Sequence, residues 1–489
     1  MKTNNIIFIL AWIVSTVFAV APFEPTWENI EYKKSIDVGK SFLKEKHEIT
    51  IKNIDSQPNS KYIFGVPKEK KADIALNIVV YDNKSKKSIL QPAPLPLEDP
   101  EVAYFQLSLP FPIAPGSTFH FFISSIITNQ MIPYPEYISM TDDQVLKVTT
   151  NAYPISPYNT LSYEFAITNV NSITEINADN LPIPLKSTEQ SRGVIYSTED
   201  GVNANTIANF TFTYVRNAPL AYINYLQRDL WVSHWSSKLQ LEEYYELTNH
   251  AAKLDEGFSR AKYFSNQLGM KPHHPITALR VPFDKSKTIE DGSIYYTDKV
   301  GNVSTSQYYD SELLLRPRFP LFGGWNYNFT IGWNYDLSQF VKRQGDEYIL
   351  KANILDGIYD STYGNVKFSI YLPEGAEIID YALPFGVEEP VITHEFSYLD
   401  VTDGHVKISF EFENVVDEMK NLVLVLRYRY TSFAMLHKPL HAAFYVFIAL
   451  MALYLLKKID LSVRPMRNGV FLETEGERKD EFPEDQTLN

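Results

Sequence analysis

The chain is 489 residues long, 45% apolar and 14% aromatic, with no cysteine and a formal net charge of -14. The absence of thiols excludes disulfide staples, cysteine nucleophiles, thiolate zinc sites and thiol redox chemistry. The acidic balance argues against nucleic acid as a partner, because that needs a basic footprint.

The first predicted element is a leader. Lys2 precedes an apolar stretch at residues 6–18, and Ala19, Val20 and Ala21 come next. This is the pattern of a secretory signal peptide over residues 1–19, with cleavage at the latest after Ala21. The stretch is too short to span a bilayer as an anchor. The body of the chain is therefore expected in a lumenal or extracellular space. The roughly four hundred residues before the next long apolar run are enough for two or three domains.

Apolar and polar residues then alternate at period two, which predicts strands with one face on a core. Ile49 and Ile51 open one such segment, and Ile74, Leu76, Ile78 and Val80 another. Phe210, Phe212 and Tyr214 repeat the pattern, as do Val406, Ile408, Phe410 and Phe412. Leu422, Leu424, Leu426, Tyr428 and Tyr430 give the clearest case. Pro and Asn clusters at residues 91–100 and 153–159 read as loops. The expected fold class is mainly β: two tandem lumenal β-sandwich-like domains, residues 20–225 and 226–432, then one transmembrane α-helix and a short disordered cytosolic tail. Helical signal inside the body is confined to residues 254–268, weakened by Gly257 and stopped by Gly269.

Residues 439–456 carry no formal charge and close on Lys457 and Lys458. Eighteen helical residues reach about 27 Å, close to a hydrocarbon core. With the leader in front, the expected arrangement is a single-pass type I membrane protein. The basic residues do not decide the orientation, since Lys457, Lys458, Arg464 and Arg467 flank one end and Arg427, Arg429 and Lys438 the other. Residues 432–438 form a short link, which would hold the last strand against the bilayer or a membrane partner. The tail, residues 457–489, is basic and then acidic and reads as disordered.

Candidate chemistry is sparse. His273 and His274 are adjacent and bracketed by Pro272 and Pro275, so in an extended segment they point opposite ways and do not share an ion. His437 and His441 stand four apart, with Pro439 between them at the expected helix start, which favours an interfacial role over metal. His47-Glu48 and His394-Glu395 lack the second histidine of a zinc-protease helix. No nucleophile elbow, phosphate-binding loop or dinucleotide fingerprint occurs. Accordingly no catalytic, metal or cofactor site is assigned. Gly324-Trp325-Asn326-Tyr327 recurs as Gly332-Trp333-Asn334-Tyr335, which would place both Trp on one face of a continuous strand, for packing more than for a ligand. The sequons at Asn83, Asn209, Asn302 and Asn328 are candidate N-glycosylation sites, about as many as chance supplies.

Longer runs carry more information. These are Trp231 to Trp235 (WVSHW), Ile294 to Ser306 (IYYTDKVGNVSTS), Arg316 to Trp325 (RPRFPLFGGW) and Leu372 to Ala376 (LPEGA). In this order and spacing the chain resembles the ribophorin I family, the non-catalytic alpha subunits of the eukaryotic oligosaccharyltransferase complex, with a fungal flavour in its short polar tail. The resemblance implies a place in the endoplasmic reticulum membrane. The complex moves a preassembled oligosaccharide from dolichyl diphosphate to Asn in Asn-X-Ser/Thr sequons of nascent proteins. It also implies a catalytic centre in another, multi-spanning subunit, no cofactor in this chain, and partners among that subunit, small membrane subunits, the lipid bilayer and nascent polypeptides. The expected role is assembly and presentation of acceptors. Two other classes stay open on the residues alone: a free-standing lumenal chaperone or cargo receptor, and a lumenal metallohydrolase built on His273, His274 and nearby carboxylates.

Overall fold

A computed structural model describes residues 25–459, apart from 84–85, 91, 98, 199, 268–273, 384–388 and 398–399, and gives the backbone alone at 76–83, 86–89 and 266–267. The leader and residues 460–489 lie outside the described residues. The body is mainly β and forms one compact unit up to Met435.

Seven strands of the N-terminal half define its frame: β1 (Trp27–Asp37), β2 (Leu43–Asn53), β3 (Thr118–Ile127), β4 (Val145–Asn151), β5 (Thr160–Thr168), β6 (Gly193–Thr198) and β7 (Asn209–Val215). Seven more define the C-terminal half: β8 (Ala221–Ser233), β9 (Lys238–Asn249), β10 (Asn326–Asp336), β11 (Glu347–Asn353), β12 (Ser361–Leu372), β13 (His405–Val416) and β14 (Val423–Arg429). The halves repeat one topology. In the first, an eight-stranded sheet runs Lys186–Gln190, β6, β5, β1, β2, β3, Ile74–Asn83, Lys86–Leu90. In the second it runs Val391–Glu395, β13, β12, β8, β9, β10, Tyr295–Asp298, Gly301–Asn302. Each sheet is antiparallel except for one central parallel pair, β1 with β5 and β8 with β12. Each half adds a four-stranded sheet, built on β4–β7 in the first and β11–β14 in the second, and a smaller three-stranded one.

The repeat extends to a defect. The register of β1 against β2 shifts between Asn29 and Glu31, and that of β8 against β9 between Ile223 and Tyr225, at the same distance from the strand start. A bulge reverses which parity faces inward. Trp27 and Asn29 point to the core before it, and Tyr32, Lys34 and Ile36 after it. In β8 the same positions hold Ala221 and Ile223, then Leu226, Arg228 and Leu230.

Apolar faces of the large and small sheets meet in one main core per half, and Val102, Tyr104 and Ile155 form a small separate cluster in the first. Tyr163, Phe165 and Ile167 of β5 share the first core with Phe210, Phe212 and Tyr214 of β7. Phe368 and Ile370 share the second with Leu424 and Leu426. The core changes hands between Leu220 and Ala221, while residues 225 and 226 lie inside β8. The seam between the halves is substantial. Phe42 and Ile126 of the first half belong to the second core. Lys40 reaches Asp417 at 2.8 Å and Glu418 at 3.2 Å. Arg216 meets Asp360 at 2.7 Å.

Three local expectations need correcting. The helix expected over 254–268 starts later: α1 covers Arg260–Gln267, residues 268 and 269 lie outside the described residues, and Lys253–Leu254 instead pair in parallel with Tyr137–Ile138. Cross-half pairing and the helix cost of Gly257 outweigh local propensity there. The helix expected over 439–456 is longer: α2 covers Ser432–Lys458, so residues 432–438 are helix and Pro439 lies inside it. Thr431 caps α2 by accepting from the Ala434 N–H at 3.2 Å, and Ala434 and Met435 pack on the second core. Finally, Trp325 stands just before β10, held by a turn in which its N–H meets the Phe322 carbonyl, so the two Trp do not share a strand.

From Leu436 onward α2 is a separate unit. Its 27 residues reach about 40 Å. It is the one helix among the described residues long and apolar enough to cross a membrane, and none of its residues is buried.

Candidate functional site

Two of the sequence runs that carried the resemblance, 294–306 and 316–325, meet in the fold. Arg318 of the Arg316–Trp325 run pairs with Asp298 at 2.6 Å and donates to the carbonyls of Gly301 and Asn302. The Arg318 hydrogen bond holds the Asp298 carboxyl below the ordinary range. Gly323 passes so close to the chain at Ala251 and Ala252 that a Cβ would overlap both carbonyl oxygens. Phe322 and Trp325 pack with each other and with Phe258, and Phe319 is in contact with Trp325 and Tyr327.

Gly324 of the same run lines a groove of about 730 Å3 where the halves meet. One wall is the Asn129–Glu136 segment, with Ile132 54% and Tyr134 55% exposed, and the other is Asn249–Lys253 with Gly324. Lys147 lies over the Tyr134 ring at 5.2 Å. Lys253 pairs with Glu136 at 2.7 Å and lies over Tyr137 at 5.6 Å. His250 stacks on Tyr222 at 4.4 Å, and burial lowers its pKa, so it is neutral near neutral pH. Asn249 secures the wall by donating to the carbonyls of His274 and Leu321. Rings and aliphatic carbon with few charges suit contact with an extended apolar segment. They do not form a nucleophile and base pair.

The residues singled out from sequence are dispersed. His274 is buried beside Phe322, and His273 lies outside the described residues. The rings of His437 and His441 meet edge to face within α2, where the His437 carbonyl and His441 Nδ1 are 3.0 Å apart. Trp333 is buried against Phe283 and Trp325 is half-buried. Among the described residues no group of three or more His, Cys, Asp or Glu could hold a metal ion. Asn209 is exposed at the start of β7 and Asn302 is exposed on the Gly301–Asn302 strand. Asn328 is half-buried in β10 and donates to the Tyr244 hydroxyl at 2.9 Å. Asn83 ends its strand opposite Lys86.

Two buried ionic sites went unseen in the sequence, since single charges within apolar alternation look like errors of pattern. Lys34 lies 3.8 Å from Glu45 and donates to Thr150 Oγ1 and the Asn151 carbonyl, with Lys70 and His47 close by. Burial pushes its pKa down to about 8. Burial also opposes the Glu45 charge, but Lys34, His47 and Lys70 prevail and hold that carboxyl well below its usual range. In the other half Arg228 meets Glu243 and, at 2.9 Å, Asp356, and donates to the Asn353 carbonyl. Its burial is outweighed by the two carboxylates, and it stays charged.

Comparison with known proteins gives a consistent result. A family profile described as Ribophorin I matches residues 27–457. A Caenorhabditis elegans protein named dolichyl-diphosphooligosaccharide–protein glycosyltransferase subunit 1 is 27% identical, over 94% of this chain and 76% of that protein. Subunit 1B of the same name from Arabidopsis thaliana is 26% identical over 93% and 98%. The Schizosaccharomyces pombe subunit 1 is 24% identical over 87% and 93%. Among solved structures, a Deinococcus radiodurans M1 zinc metallopeptidase is 11% identical, covers 43% of this chain and 48% of its own, and has a TM-score of 0.23, too slight to argue from.

Proposed function

The chain belongs to the ribophorin I family, and we propose that it serves as a non-catalytic subunit of an oligosaccharyltransferase complex, in protein N-glycosylation. The observation that carries this is the family match across the body and α2, together with relatives named as subunit 1 of that transferase. The reading places it in the endoplasmic reticulum membrane by α2, body in the lumen and tail in the cytosol, as two tandem β-sandwich-like domains behind a cleaved leader. The multi-spanning catalytic subunit and small membrane subunits are its partners.

Assembly through α2 and presentation of acceptors through the body form the mechanism. The groove at Ile132 and Tyr134 suits presentation, because an unfolded acceptor exposes apolar side chains that a folded one hides. Extraction in mild detergent and purification through this chain tests the reading. Recovery of a multi-spanning transferase subunit is expected, and recovery of the chain alone would favour a free-standing chaperone or cargo receptor. With the complex intact, Ile132→Asp with Tyr134→Asp is expected to lower occupancy at a subset of acceptor sequons. Unchanged occupancy across secreted glycoproteins would remove the groove from the mechanism.

A further inference from the structure

Pro439 lies within α2 and has no N–H, so the Met435 carbonyl four residues earlier lacks the donor an uninterrupted helix would give it. Trp235, at the tip of the β8–β9 hairpin, fills the vacancy. Its indole N–H donates to the Met435 oxygen at 3.1 Å, two hundred residues away in the chain. The tip is braced from inside by His234, whose Nε2 lies 2.8 Å from the Tyr428 hydroxyl and whose ring packs on Tyr348 and Tyr430. Burial, with Arg343 nearby, lowers the His234 pKa to about 4, so this brace does not change charge near neutral pH. Trp235 is nonetheless 58% exposed, and Phe433, in the first turn of α2, is 74% exposed.

The position of this tip relative to a bilayer is set by chain connectivity. Met435 precedes Pro439 by four residues, about 6 Å of helix. The headgroup layer beside a hydrocarbon core is about 5–8 Å deep. If residues 439–456 fill the core, Met435 stands in the headgroups, and so does the indole bonded to it. A ring that is apolar over most of its surface and carries one satisfied N–H belongs at that depth.

We infer that Trp235 and Phe433 form a membrane-surface contact, seated in the phospholipid headgroup layer where α2 enters, with Trp235 latched to the carbonyl that Pro439 leaves free. This rests on α2 as a membrane span.

The full chain reconstituted in phosphatidylcholine vesicles with a fraction of nitroxide-headgroup lipid provides the test. Tryptophan emission should be quenched relative to plain vesicles, and Trp235→Phe should remove roughly half or more of that quenching. As a check that does not depend on the variant's folding, Ser236→Cys labelled with bimane reports the same tip in a chain that otherwise has no cysteine. Its emission should be quenched by the same lipid. Equal tryptophan quenching in both proteins, or an unquenched bimane, in chains that float with the vesicles overturns the surface contact and leaves the span intact. Failure to float at all overturns both.

Discussion

The two halves of the body put a buried cation at the same point of the same strand, yet surround it with opposite charge. Lys34 and Arg228 each come after a bulge by the same count, and each donates to the carbonyl of an Asn that ends the facing strand, Asn151 or Asn353. In the first half two buried lysines, with His47, face one carboxylate. In the second one arginine faces two. The repeat keeps a donor that closes the end of one sheet onto the other, and it leaves free the sign of the surplus. The chemistry of the cation differs accordingly: a lysine short of anions yields its proton readily when buried, while a guanidinium between carboxylates does not.

Breaking the second site should cost most. Arg228→Met leaves Glu243 and Asp356 buried without a cation, and a loss of about 3–5 kcal/mol is expected, read from denaturant unfolding of the full chain in micelles. Lys34→Met leaves Glu45 with Lys70 and His47 still beside it, so a smaller loss of about 1–2 kcal/mol is expected. Equal losses in the two variants would mean that the surplus charge is irrelevant and the comparison empty.

Alkaline pH sharpens the same contrast. Below about pH 8 Lys34 is charged folded and unfolded, and the penalty for burying its charge is fully present. Between about 8 and its ordinary value of 10.5 the unfolded chain holds a proton that the folded chain has released, so stability rises with pH. Melting temperature measured across that window should therefore shift in favour of the parent over Lys34→Met. Arg228→Met should show no matching trend, and a matching one would point to another titrating group.

The smallest effect is expected at the seam. Lys40 is partly exposed between Asp417 and Glu418, and Lys40→Ala should cost no more than about 1 kcal/mol, leaving one melting transition. Two transitions in calorimetry of that variant would show that this ion cluster, and not Phe42 and Ile126 in the shared core, couples the halves.

The strands that alternate cleanly were legible. β7, β13 and β14 lie within a residue or a few of where Phe210–Tyr214, Val406–Phe412 and Leu422–Tyr430 placed them. The central strands β1 and β8 were not, because each bulge reverses the inward parity and each carries a charge on its inward face, and both break a period-two test. The groove was illegible because its walls come from segments over a hundred residues apart. The runs at 294–306 and 316–325 were visible as unusual sequence, but their contacts were not: Arg318 reaches Asp298 and Gly323 touches the Ala251–Ala252 backbone.

By itself the sequence determined the β class, the absence of thiol chemistry and an apolar helix of membrane length, since composition and local period settle these without reference to distant residues. Only the tertiary structure decided that the body is one topology used twice, that two charges lie buried at matching points, and that α2 begins inside the body with Trp235 on the carbonyl Pro439 leaves unpaired. Those depend on pairings across the chain, where the energy of a contact is set by what another segment brings to it.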